Sequence, residues 1–144
     1  MKKCVIFWGI CLLLLAGCSS QETEETRAWT EEQVISLFQE SEQHEGWQVE
    51  DCVLTPDAAY DCVGVVLAVN PSDSTPYVTF VEADGNSNGC NVDAQLAAEP
   101  DLTYDGKGTV RFQLQDEEGA EHLYLVTYSR DSNAVQFAPE GKLP

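Results

Sequence analysis

Cationic side chains are scarce: seven Lys and Arg stand against 25 Asp and Glu in 144 residues, a formal net charge of −18. Such a surface repels phosphate backbones and anionic headgroups, so no nucleic-acid partner is expected, and it attracts cations or basic partners. Imidazoles are scarcer still. His44 and His122 are the only two, and no Cys-x-x-Cys or His-x-x-x-His spacing occurs, so a zinc site lacks its ligands. No phosphate-binding loop or dinucleotide fingerprint is found, and no internal repeat. The longest apolar run, Cys4 to Ala16, is about 13 residues against the roughly 20 of a membrane-spanning helix. Hydrophobic content is ordinary at 43%, so acidity alone does not imply disorder.

What is present begins with an address. Met1-Lys2-Lys3 is a short basic start, the apolar run follows, and small residues end it, which is the layout of a secretory signal. Leu15-Ala16-Gly17-Cys18 resembles the lipobox of bacterial lipoproteins. The resemblance covers only these first residues. It implies that Cys18 receives a diacylglyceryl group and that a peptidase cuts between Gly17 and Cys18. Two acyl chains suffice for lasting attachment. The expected location is therefore the cell membrane, with the domain lipid-anchored on the extracytoplasmic side. Lys2 and Lys3 leave with the signal, so basic residues fall from seven to five against an unchanged 25 acids.

The expected organisation is a signal peptide at 1–17, an acidic disordered tether at 18–28, one α+β domain at 29–138 and a tail at 139–144. Ser19 to Ala28 has no apolar periodicity and reads as tether. At Trp29 the pattern changes. Thr30 is placed to accept from the Gln33 backbone and Gln33 to reach back to the Thr30 N–H, a capping box. Glu31 and Glu32 complement the helix dipole, and Val34, Ile35, Leu37 and Phe38 make an apolar stripe. The spacing predicts a helix from Glu31 to Glu45, stopped by Gly46.

From Trp47 the period becomes two. Strands are expected over Trp47 to Val53, Tyr60 to Val69, Pro76 to Ala83, Val110 to Gln115, Leu123 to Tyr128 and Ala134 to Phe137. Tyr60 to Val69 is apolar at nearly every position, as in a strand buried on both faces. Asp84 to Asn91 reads as a Gly/Asn loop, Asp93 to Ala98 as a helical turn, and Asp101 to Gly108 as loop. Short connections imply antiparallel neighbours. The expected fold is α+β, one N-terminal helix packed on an antiparallel meander sheet of about six strands. A small barrel plugged by the helix is the alternative.

Candidate chemistry is thin. Asp84-Gly85-Asn86-Ser87-Asn88-Gly89 fits the front half of a calcium-binding loop, with oxygen donors from Asp84, Asn86 and Asn88 and closure by Asp93 or Glu82. Gln95 occupies the place of the usual bidentate Glu. A Gly/Asn turn between strands demands the same residues. Cys52, Cys62 and Cys90 remain once Cys4 and Cys11 leave with the signal and Cys18 carries lipid. A hairpin centred on Asp57 sets Cys52 opposite Cys62 and predicts a disulfide there, with Cys62–Cys90 as the rival. Cys90 as a nucleophile would need a base, and His44 and His122 are the only imidazoles, with nothing in the sequence placing His122 beside it. Trp47, Tyr60, Tyr77, Tyr124 and Tyr128 are candidates to line a groove, or simply sheet core. The expected function is a lipid-anchored, exported, non-enzymatic module binding an unknown protein or small molecule. The alternative is a small secreted hydrolase using carboxylates on the sheet.

Overall fold

The computed structural model describes residues 28–57, 61–129 and 134–139, with side chains excluded at 129 and 134–139. The signal segment, Cys18, nearly all of the tether, Tyr60, the turn expected at 130–133 and residues 140–144 lie outside that set.

Helix α1 (Glu31–Glu40) opens on the expected capping box: Gln33 N donates to Thr30 Oγ1 at 3.3 Å and Thr30 N to Gln33 Oε1 at 3.0 Å. Val34 and Phe38 are its fully buried residues. The helix ends five residues earlier than its spacing predicts. Ser41 is extended, and the His44 N–H donates back to the Ser41 carbonyl in a tight turn. The polar stretch after Phe38 reads as a solvated helix face, yet His44 is buried there. Gly46, at φ 78°, closes this turn rather than capping the helix.

Nine strands follow among the described residues: β1 (Gln48–Leu54), β2 (Cys62–Val69), β3 (Pro76–Glu82), β4 (Ser87–Asn91), β5 (Gln95–Leu96), β6 (Thr103–Gly106), β7 (Thr109–Gln115), β8 (Glu121–Ser129) and β9 (Ala134–Pro139). They form two antiparallel sheets instead of one meander. The first has the order β1-β2-β3-β4, and the second β5-β7-β8-β9 with β6 also paired to β7. The α+β class holds in its coarse form, with mostly antiparallel sheet and one helix.

Three segments without apolar alternation are strands after all. Ser87–Asn91 pairs with β3, setting Asn88 opposite Phe80 and Cys90 opposite Val78. Gln95–Leu96 and Thr103–Gly106 both pair with β7. Strand preference here is set by the partner strand, whose backbone groups need a ladder, and not by the side chains. The last strand reaches Pro139 and takes in residues expected near the domain edge.

Two apolar clusters give the layering. Val34 and Phe38 of the helix pack with Cys52, Val66, Ala68 and Val81 on one face of the first sheet. On its other face Cys62, Val65, Leu67, Val78 and Phe80 meet Val110, Phe112, Leu114, Val126 and Tyr128 of the second sheet. The order is helix, sheet, sheet. Strand β2 sits in the middle layer, which explains its nearly continuous apolar sequence.

This layering also corrects the cysteine pairing. The β1–β2 register sets Cys52 opposite Val66 and Leu54 opposite Gly64, with a bulge between Val49 and Asp51. Cys52 faces the helix and Cys62 the second sheet, so the sheet itself separates the two sulfurs. Cys62 pairs with Glu82, and Cys90 lies opposite Val78, four residues or roughly 14 Å further along β3. The three described cysteines are not disulfide-bonded to one another.

Polar ties stitch the two sheets at their margin. Asp51 Oδ2 accepts from the Leu102 N–H at 2.9 Å. Asp57 accepts from the Tyr104 hydroxyl at 2.7 and 2.9 Å and from the Lys107 N–H at 3.0 Å, while Tyr104 Oη accepts from Gly108 N. Burial, with the neighbouring Asp57 carboxylate adding to it, pushes the Tyr104 phenol up to about 12.

Candidate functional site

One end of the sandwich is open. The β2–β3 turn, the β4–β5 connection and the β7–β8 hairpin converge there around a cleft of about 910 Å³. Pro76, Val92 and Tyr124 supply its apolar wall, and Asp73, Asp93, Asp116 and Glu117 its carboxylates. Among the described residues no Lys or Arg lines it.

Local chemistry places these acids. In the β2–β3 turn the Ser74 N–H donates to the Asn70 carbonyl, and the Thr75 N–H donates to Asp73 Oδ1 at 2.9 Å. That bond, helped by the Thr75 hydroxyl, holds the Asp73 carboxyl below the usual carboxylate range. In the β7–β8 hairpin Asp116 Oδ1 accepts from the Glu118 and Ala120 N–H groups at 3.0 and 2.8 Å. Its Oδ2 meets His122 Nε2 at 2.6 Å. The His122 contact first, and the backbone bonds after it, hold the Asp116 carboxyl low as well. Asp93 is carried to the cleft because the Val92 N–H bonds the Pro76 carbonyl, the rung just beyond β4.

The calcium-loop residues are divided by the fold. Asp84 and Asn86 stay together in the β3–β4 hairpin, where Asp84 Oδ1 accepts from Asn86 N at 2.9 Å and Oδ2 from Asn86 Nδ2 at 2.7 Å. Asn88 lies on β4 and turns to Glu82 and the Tyr128 hydroxyl, at 3.3 and 3.4 Å. Asp93 lies beyond the opposite end of β4, five residues or roughly 17 Å of extended chain from Asn88. Among the described residues no group of three or more His, Cys, Asp or Glu is placed to hold a metal ion.

The same hairpin contains Gly85-Asn86-Ser87-Asn88-Gly89, which has the Gly-x-Ser-x-Gly spacing of a hydrolase nucleophile. The mechanics need a strand–turn–helix elbow that exposes the serine beside a histidine. Here the pentapeptide spans a strand–turn–strand hairpin, His122 is on Asp116, and His44 is stacked against Phe38. Cys90 is no better placed, since burial pushes its thiol up and away from thiolate.

The four described candidate aromatics do not share a groove. Trp47 and Tyr77 stand edge to face, centroids 5.2 Å apart, beneath the end of α1. Tyr128 leans on Phe80 between the sheets, centroids 5.5 Å apart. Tyr124 alone reaches the cleft, and Tyr60 lies outside the described residues.

The cleft residues come from distant segments, each ordinary in its own sequence context. The only signal that could have found them is the clustering of Asx-type turns at 70–75 and 116–120. No helix among the described residues is long and apolar enough to cross a membrane. Comparison with family models, with curated proteins and with solved structures finds no match, so no relative's chemistry is carried over to this chain.

Proposed function

We propose that this chain is a lipid-anchored binding module, held through Cys18 at the extracytoplasmic face of the cell membrane, whose acidic cleft takes a basic peptide segment of a partner. The carrying observation is a cleft with four carboxylates and, among the described residues, no Lys or Arg, two of the acids being held ionised by hydrogen bonds. A sheet-borne hydrolase needs the reverse, an acid raised so that it keeps its proton near neutrality. Ionised acids at an open cleft suit attraction of positive charge.

Titration of the full chain in detergent micelles with a short lysine-rich peptide tests the cleft. Saturable binding that weakens with salt is expected. Asp73→Asn with Asp93→Asn should weaken it several-fold, since exposed ion pairs each contribute little. Glu42→Gln with Glu45→Gln removes the same charge from the turn after α1 and should leave binding nearly unchanged. Equal losses in both double variants would reduce the effect to overall charge and end the cleft reading.

The anchor has its own test. Cys18→Ala should abolish acyl labelling and shift the protein to the aqueous phase on detergent partitioning. A wild-type chain without acyl label, retained on membranes as well as the variant, would dismiss the lipid anchor.

A further inference from the structure

His44 is the one imidazole that the cleft does not use. The turn at Ser41–Gly46 inserts its ring under the end of α1, stacked on Phe38 with centroids 4.3 Å apart and planes 15° from parallel. Trp47 stands edge-on at 5.1 Å and Tyr77 tilts against it at 5.6 Å. Trp47 also meets Phe38 at 6.2 Å and Tyr77 at 5.2 Å, which closes the box. The side chain is 5% exposed, and its Nδ1 is buried with no hydrogen-bond partner among the described residues.

We propose that His44 makes the α1–β1 corner an acid-sensitive latch: protonation at Nδ1 expels the ring from its aromatic box and frees the C-terminal half of α1 from the first sheet. The proton comes from solvent and adds an N–H for which no described side chain around the box is an acceptor, Phe38 offering only its backbone. A buried charge without a counter-charge costs more than one stacked ring and one backbone contact return. Among the described residues no carboxylate compensates. Glu40 at the helix end, and Glu42 and Glu45 on the turn, are exposed. Strand β1 presents Trp47, β2 presents Ala68, and β3 presents Tyr77, whose phenol is pushed up by burial and stays neutral. Burial accordingly lowers the His44 affinity for a proton below the ordinary 6.5, opposed only by a hydrogen bond with the Phe38 backbone.

The sign follows from linkage. The opened corner holds an ordinary imidazole and the closed one a depressed imidazole, so the opened form binds more protons between the two values. Closure is therefore complete above 6.5 and weakens as pH falls through that value toward the lower one. Once Phe38 loses His44 as its stacking partner, its ring keeps only the sheet side of its cover, and Val34 is the helix residue still fully enclosed. That is a small hold for ten residues.

Ring C–H resonances of both histidines, followed in the full chain in detergent micelles between about pH 5 and 8, read the latch directly. Hydrogen exchange of the segment 31–47, corrected for the intrinsic pH dependence, reads the opening. His44 should titrate below 6.5, and helix protection should fall in the same window by up to about tenfold per pH unit, the limit for one proton. His44→Phe keeps an aromatic ring in the box and should hold its protection across the range. A His44 midpoint at or above 6.5, protection independent of pH, or the same acid response in His44→Phe would each overturn the proposal. Should His44→Phe fail to fold, the wild-type midpoint and its coincidence with lost protection decide the matter alone.

Discussion

Phe112→Ala should lower the stability of the domain by about 3 to 5 kcal/mol, the range for emptying a buried phenylalanine site. Phe112 lies at the middle of β7, 0% exposed, in the cluster where both sheets meet. Its neighbours come from two rigid sheets, so collapse into the vacated volume requires the sheets to approach along their whole length. That places the cost toward the upper end. For a domain of this size the loss corresponds to roughly 10 to 25 °C in Tm, out of a total stability of about 5 to 15 kcal/mol. Gln113→Ala, on the opposite face of the same strand, is the control and should stay within about 0.5 kcal/mol. Urea and thermal unfolding of the two variants settle it. A Phe112→Ala midpoint no lower than that of Gln113→Ala would mean that the two sheets do not share this core.

Gly89→Ala should be the second most damaging change, for a different reason. A Cβ at Gly89 would lie 2.5 Å from the Val78 carbonyl oxygen and 2.6 Å from the Tyr77 ring and hydroxyl. Real carbon atoms do not approach so closely. The Val78 carbonyl belongs to the β3–β4 ladder, so relief means shifting backbone rather than turning a side chain. Overpacking of this kind costs about 1 to 3 kcal/mol and occasionally more. Adding Tyr77→Ala should recover only part of it, because the carbonyl contact survives. Gly46→Ala is the useful comparison. At φ 78° with no atom within 4 Å, it meets conformational strain alone, about 1 to 2 kcal/mol. If Gly89→Ala is no worse than Gly46→Ala in chemical denaturation, β4 is not held against β3 as described.

The sequence by itself determined the elements whose buried face is written into their own period. Thr30 and Gln33 announce the helix start because capping is local, satisfying donors three residues apart. Val110, Phe112 and Leu114 alternate with Arg111 and Gln113 because one face of β7 meets the core and the other does not. The unbroken apolar run of β2 says that both its faces are covered. Period reports that a face is buried, never by what. Only the tertiary structure decided that a helix covers one face of β2 and a second sheet the other, which places Cys52 and Cys62 on opposite sides. Ser87–Asn91 shows the same limit from the other direction. Its polar residues carry no strand signal, and the backbone groups of Tyr77 to Val81 recruit it into the ladder. His44 reads as part of a solvated helix until Ser41 turns the chain back beneath Phe38. The acidic cleft joins Asp73, Asp93 and Asp116, tens of residues apart, whose hydrogen bonds are local but whose proximity depends on how the ends of two sheets are brought together.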